Sequence, residues 1–185
     1  MPERGYQIRN QYEIHFITFA VVEWVDVFRR SLYADIVIES LRFCQQQKGL
    51  KIHAWCMMSN HLLLIISASN TAFTLSDILR DFKKFTSSQI IKCIENNEKE
   101  SRKGWMLWIF KKAGERNKRN ENYQFWQQEN HPIECFNAEI LASKLKYLHE
   151  NTVRASLVLF EGDWVYSSDI DYYYDNKGLL EISFI

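Results

Sequence analysis

Apolar positions along the chain switch between a period near two and a period near 3.6. Over 12–22 the run Y-E-I-H-F-I-T-F-A-V-V is β-branched and aromatic with partial alternation, which predicts a strand. Helical spacing takes over from 31 to 48, with Leu32, Ile36, Ile38, Leu41 and Phe43, and Gly49 falls where a C-cap glycine belongs. A second strand is predicted over 50–58, a short break at Ser59 and Asn60, and a third strand over 61–67, apolar on both faces and therefore interior. Thr74-Leu75-Ser76-Asp77 carries an N-terminal capping signal for a helix through about residue 96. Further on, the pattern predicts a helix over 98–112, a polar loop G-E-R-N-K-R-N-E-N, a short strand over 123–128 and a helix from 138 to about 151 capped by Asn137. The tail, with Trp164 and Tyr172-Tyr173-Tyr174, predicts no definite element. The order β-α-β-β-α followed by a strand and a helix predicts an α+β fold, a ferredoxin-like (RRM-like) antiparallel sheet covered by helices.

Composition narrows this picture. The 185 residues fit a single domain over 1–185, and 46% hydrophobic with only six glycines and two prolines excludes a disordered or loop-dominated chain. The four cysteines are widely spaced without a C-x-x-C pair, a pattern of reduced thiols rather than a disulfide frame or zinc site. No apolar run is long enough for a membrane span and M-P-E-R-G-Y lacks a signal-peptide core, so a soluble, cytoplasmic protein is expected. Net charge is zero, yet residues 80–120 hold 12 Lys/Arg against five Asp/Glu. That imbalance marks either a polyanion-binding surface or a solvated helical face.

Two short segments carry candidate chemistry. His61 opens the third strand in M-S-N-H-L-L-L; Leu63 shares its face, since residues two apart on a strand point to the same side. Two histidines at that spacing could clamp one divalent cation, but only the first is present, and a lone histidine beside such leucines is more often a core or turn residue. Tyr147 and Asn151 are i and i+4 on the last predicted helix, at the shoulder of the stripe Ile140, Leu141, Leu145 and Leu148. A phenol can attack phosphorus and conserve the phosphodiester energy in a covalent link, and an amide oxygen one turn away could ligate a metal. Without context, Tyr147 reads rather as a half-buried tyrosine at a helix edge.

Five segments, in order, resemble a known family: M-M-S-N-H-L-L-L; the basic helix L-S-D-I-L-R-D-F-K-K-F-T-S; F-W-Q-Q-E-N-H-P-I; K-Y-L-H-E-N-T-V-R-A-S-L-V; and D-W-V-Y-S-S. Together they resemble the single-tyrosine HUH transposases, specifically the REP-associated tyrosine transposases, over roughly residues 12–174. The resemblance implies cleavage and rejoining of single-stranded DNA at hairpin-bearing element ends through a 5′-phosphotyrosine, with a divalent ion (magnesium or manganese). It makes Tyr147 the nucleophile and His61 and Asn151 metal ligands. The sequence departs from the family at Leu63, where a second histidine is the rule, and in lacking the proline and glycine of its N-P-V and A-G steps at Thr152 and Ser156. Of the other histidines, His53 is too far along the chain, His149 points to another helix face, and His15 approaches His61 only if the first strand pairs beside the third.

For the nucleic-acid surface, Arg80, Lys83, Lys84, Lys111, Lys112, Arg116, Lys118 and Arg119 are candidate phosphate contacts, with Trp105, Trp108, Phe125 and Trp126 interleaved as core residues or base-stacking platforms. Within the resemblance, both domain-exchanged homodimers and monomers occur. Two alternatives stand beside a strand-cutting transposase: a domesticated member that binds structured single-stranded DNA without cutting it, and an RNA-binding module, for which no RNP-like aromatic motif is present.

Overall fold

A computed structural model describes residues 7–69, 72–117, 122–174 and 176–185. Strands β1 (His15–Ala20), β2 (Leu50–Met57), β3 (His61–Ala68) and β4 (Ile133–Glu134) form one antiparallel sheet in the order β2-β3-β1-β4. The helices are α1 (Ser31–Lys48), α2 (Leu75–Asn96), α3 (Lys103–Arg116), α4 (Ala138–Arg154) and α5 (Asp169–Tyr173). This is the expected α+β architecture, with β3 interior as its apolar faces require.

Several boundaries follow directly from local chemistry. Gly49 adopts φ 72°, the left-handed C-cap that ends α1. Thr74 and Asp77 complete a reciprocal capping box at the start of α2, and Asn137 accepts from the Ile140 amide at 2.8 Å at the start of α4. Met58 N donates to His61 O at 2.8 Å, closing the β2–β3 hairpin over the Ser59–Asn60 break.

The two faces of the sheet are covered unequally. Ile17, Phe19, Ile52, Trp55, Met57, Leu62, Leu64 and Ile66 meet α1 and α2 in the larger core. Phe16, Ala54, Cys56, Leu63 and Ile65 meet Leu148 of α4 on the other side. A bulge in β2 accounts for the alternation there: Ile52 pairs with Ile66 and Ala54 with Ile65, leaving His53 as the extra residue. His53 lies close to Ser67 Oγ at 2.9 Å and Ser183 O at 2.6 Å, and burial lowers its pKa.

Three regions differ from the sequence reading. The predicted strand over 123–128 makes a single bridge, Trp126 opposite Val21, because the chain runs beside the end of β1 with spaced hydrogen bonds (Val22 N to Phe125 O, 2.8 Å; Gln127 N to Ala20 O, 2.8 Å). Pairing with β1 is taken instead by β4, two residues long and without a pattern of its own. The helix predicted over 98–112 begins later, at Lys103, because Glu100 is buried and committed to other partners. Its carboxylate accepts from Arg30 at 2.6 Å, Arg102 at 3.1 Å and the Tyr33 hydroxyl at 3.2 Å.

The tail also acquires structure. Trp164 Nε1 donates to Met57 O at 2.9 Å, Met57 N to Tyr166 O at 2.8 Å, and Ser168 N to Trp55 O at 2.9 Å. Residues 166–168 thereby lie along the outer edge of β2, the side away from β3.

Glu100 provides a test of this scaffold. Burial pushes its carboxyl pKa up, but hydrogen bonds and charge from Arg102 outweigh that and hold it below the ordinary value. Its contribution is present above the unfolded carboxylate range and is lost as pH falls through the depressed folded value. Glu100→Ala is expected to cost about 2 kcal/mol in urea unfolding at neutral pH, since it removes the buried acceptor shared by Tyr33, Arg30 and Arg102, and the gap to wild type should narrow in acid.

Candidate functional site

The face of the sheet beneath α4 brings the two candidate segments onto one surface. In the β1–β3 register Ala20 lies opposite His61, Thr18 opposite Leu63 and Phe16 opposite Ile65. His61, Leu63 and Ile65 therefore point to the α4 side. Tyr147 packs edge-on against Phe16, ring centroids 6.0 Å apart, and remains 43% exposed. The Arg154 guanidinium lies over its ring at 5.7 Å, and Lys144 over that of Phe16 at 5.2 Å. Phe16 and Ala20 are separated by roughly 13 Å along β1, so His61 and Tyr147 have their footings at opposite ends of one strip, with Leu63 between.

The imidazole of His61 is oriented by its neighbour. Asn60 Nδ2 donates to the Trp24 carbonyl at 3.3 Å, which turns Oδ1 toward His61 Nδ1 at 2.7 Å. Nδ1 then carries the proton and Nε2 keeps its lone pair, the arrangement a ligating histidine needs. Burial lowers the His61 pKa, which favours the neutral ring at neutral pH.

Further ligands are scarce. Leu63 is 2% exposed and packs in the cluster with Leu148, so its position is filled by hydrocarbon. His15 cannot replace it. Although β1 does pair beside β3, His15 stands opposite Ile66, at the far end of the pair from His61 and on the other face, with Nδ1 at 2.8 Å from Glu13 O. Among the described residues no group of three His, Cys, Asp or Glu is placed to hold a metal. His61, and Asn151 one turn beyond Tyr147, do not fit a two-histidine clamp.

His149, on a different side of α4 from Tyr147, anchors the helix. Its Nε2 lies 2.9 Å from Ser168 Oγ and its Nδ1 3.5 Å from Asp169 Oδ1, with all three residues buried. Ser168 Oγ in turn accepts from Trp55 N at 2.9 Å, linking α4 to β2. Burial pushes His149 down to about 4 and Asp169 up to about 6, so the pair favours neutral forms.

The basic candidates divide by environment. Arg80 is ion-paired with Asp77 at 2.8 Å and Asp81 at 3.1 Å, and Lys112 with Glu115 at 2.8 Å. Lys83 turns inward, donating to Gln127 O at 2.8 Å and Asn130 Oδ1 at 3.0 Å, and burial brings its pKa down to about 8. Arg80, Lys83 and Lys84 line a groove of about 770 Å³ between α2 and residues 123–128. Lys111 and Arg116 are exposed on α3, while Lys118 and Arg119 lie outside the described residues. Trp105 and Trp108 are exposed. Phe125 and Trp126 are core residues, Trp126 Nε1 donating to Thr86 Oγ1 at 2.9 Å, so neither is a stacking platform.

The family profile described as transposase IS200-like matches residues 9–114, more than half of the chain. The chain belongs to the IS200-like transposase family. The matched region of this IS200-like transposase includes His61 and ends before α4. Among solved structures, a REP-associated tyrosine transposase bound to a REP hairpin shares its fold, with a TM-score of 0.65 at 15% identity over 99% of this chain and 95% of that one. A putative transposase from Deinococcus radiodurans R1 gives a TM-score of 0.46 at 16% identity, over 82% of this chain and 96% of that one. No curated protein matches the chain. None of the helices among the described residues is long and apolar enough to cross a membrane.

Sequence reading missed Asn60, Trp24, Lys144 and Arg154. Asn60 adjoins His61 in the quoted segment, but its role depends on the hairpin. Trp24 lies in an apolar stretch, V-V-E-W-V, and reads as core. His149→Ala is expected to remove the anchor of α4, costing about 2 kcal/mol, which corresponds to a fall of roughly 4–8 °C in Tm by scanning calorimetry for a chain of this size.

Proposed function

We propose that this IS200-like transposase cuts and rejoins hairpin-bearing single-stranded DNA, with Tyr147 as the nucleophile. The observation that carries the reading is the half-exposed Tyr147 on the same sheet face as His61, with a guanidinium over its ring. The phenolic oxygen forms a bond to phosphorus as the bond from phosphorus to the 3′-oxygen breaks. The phenol loses its proton to solvent and the leaving 3′-oxygen gains one, giving a 5′-phosphotyrosine and a free 3′-hydroxyl. Arg154 supplies positive charge beside the phenolate and the phosphate. The hairpin bound by the REP-associated relative supports a structured DNA strand as partner. Exposed Lys84 and Lys111, with Arg80, Lys112 and Arg116 through their paired charges, are proposed to meet its phosphates.

Magnesium or manganese is the ion such chemistry calls for, but buried Leu63 fills the place of a second histidine ligand. That substitution favours a second reading, a member that binds hairpin DNA without cutting. The two separate on one gel: incubation with hairpin DNA and manganese is expected to yield a covalent adduct that Tyr147→Phe abolishes. Adduct-free, chelator-insensitive binding, unchanged in Tyr147→Phe, establishes the second reading instead.

Leu63→His puts an imidazole two residues from His61 on the same face. It is expected to cost about 1–3 kcal/mol of stability for burying a polar ring and to raise manganese affinity at least ten-fold by calorimetric titration.

A further inference from the structure

Beside the His61 end of the sheet lies a polar hollow of about 390 Å³, bordered by Trp24, Arg116, Asn117, Gln124, Gln127 and Gln128. Its volume falls in the range of small-ligand pockets. We propose that it receives one unpaired nucleobase of the DNA strand next to His61, an inference that rests on the transposase reading above.

The backbone at its rim is strained in order to present an aromatic ring. Glu23 and Trp24 both have positive φ, 51° and 55°, a region costly for side chains of this size. The conformation is held by Trp24 N donating to Val21 O at 3.0 Å and by Asn60 Nδ2 donating to Trp24 O. What the strain achieves is exposure: Trp24 is 55% accessible while Val22 and Val25 on either side are buried. Its ring meets His61 at 5.8 Å and 81°, so one indole borders both the hollow and the candidate ligand. An exposed indole is a platform on which any base can stack.

The lining is suited to a base edge rather than to a phosphate. Four amide side chains converge there, each with both donor and acceptor, the combination that reads the edges of unstacked bases. Three are fixed in place: Asn117 Nδ2 donates to Gln124 Oε1 at 3.2 Å, Gln124 Nε2 to Trp126 O at 3.1 Å, and Gln127 Nε2 to Val21 O at 3.2 Å. Gln128 is exposed. Among the described residues that line it, the one cation, Arg116, has Glu23 at 3.9 Å to offset its charge. Gln127 N bonds to Ala20, the residue opposite His61, which fixes the amide cluster to the same end of the sheet.

The test begins with a pool of DNA hairpins whose single-stranded flanks of about ten nucleotides are randomised, from which the tightest binder is selected and scanned with abasic sites. One flank position is expected at which removing the base weakens binding about ten-fold, the effect of one lost stacking contact. Trp24→Ala should lose the same factor on intact DNA and nothing more on the abasic strand, with Trp24→Phe keeping most of the affinity. Gln128→Ala should change which base is preferred at that position. Tight hairpin binding with a flat abasic scan, or losses from Trp24→Ala and the abasic site that multiply, overturns the pocket alone. Failure of the wild type to bind any hairpin overturns the transposase reading, and the pocket with it.

Discussion

The register between β1 and β3 is the constraint on which the candidate site depends. A strand has a period of two, so a slip by one residue would exchange the faces and turn His61 away from α4. With Ala20 opposite His61 and Phe16 opposite Ile65, one strip carries the histidine at one end and the seat of Tyr147 at the other. The register is specified from both sides of the sheet. Ile17, Phe19, Leu62 and Leu64 are committed to the α1–α2 core, and Phe16, Leu63 and Ile65 to the face under α4. Apolar burial on both faces, rather than hydrogen bonding alone, keeps the strands from sliding.

Much of this was legible in the sequence where a local rule governs. Gly49, Thr74 and Asn137 act through their immediate neighbours, and the elements they bound lie where the pattern puts them. Elements defined by distant partners were not legible. β4 has two residues and exists because β1 offers an edge. The start of α3 waits on Glu100, whose partners Arg30 and Tyr33 lie far earlier in the chain. In the same way Phe125 and Trp126 looked like stacking aromatics because they adjoin basic residues, yet Thr86 and the Phe19–Phe82 cluster draw Trp126 inside.

The site divides along the same line. Spacing alone places Tyr147 and Asn151 near one another on α4, and Leu63 on the His61 face, because helix and strand periods are fixed. Whether another histidine could stand in for the missing one depended on register, and the register excludes His15. The tautomer of His61 depends on an amide in a hairpin and a carbonyl from the 3-10 turn at Val22–Trp24, a three-body arrangement with no sequence signature.

The tail that edges β2 has a consequence for the entropy of closing the fold. Trp55 and Ser168 are separated by 113 positions in the chain, and their hydrogen bond joins a strand made early to a segment near the end. Closing so long a loop costs more entropy than forming local helices or the hairpin. The tail covers amides and carbonyls on the edge of β2 and supplies α4 with the partner for His149. The surface bearing Tyr147 therefore leans on contacts of long sequence separation, whereas the hairpin bearing His61 is built from close neighbours. The seat of the candidate nucleophile thus carries a larger loop-closure entropy cost than the seat of the candidate ligand.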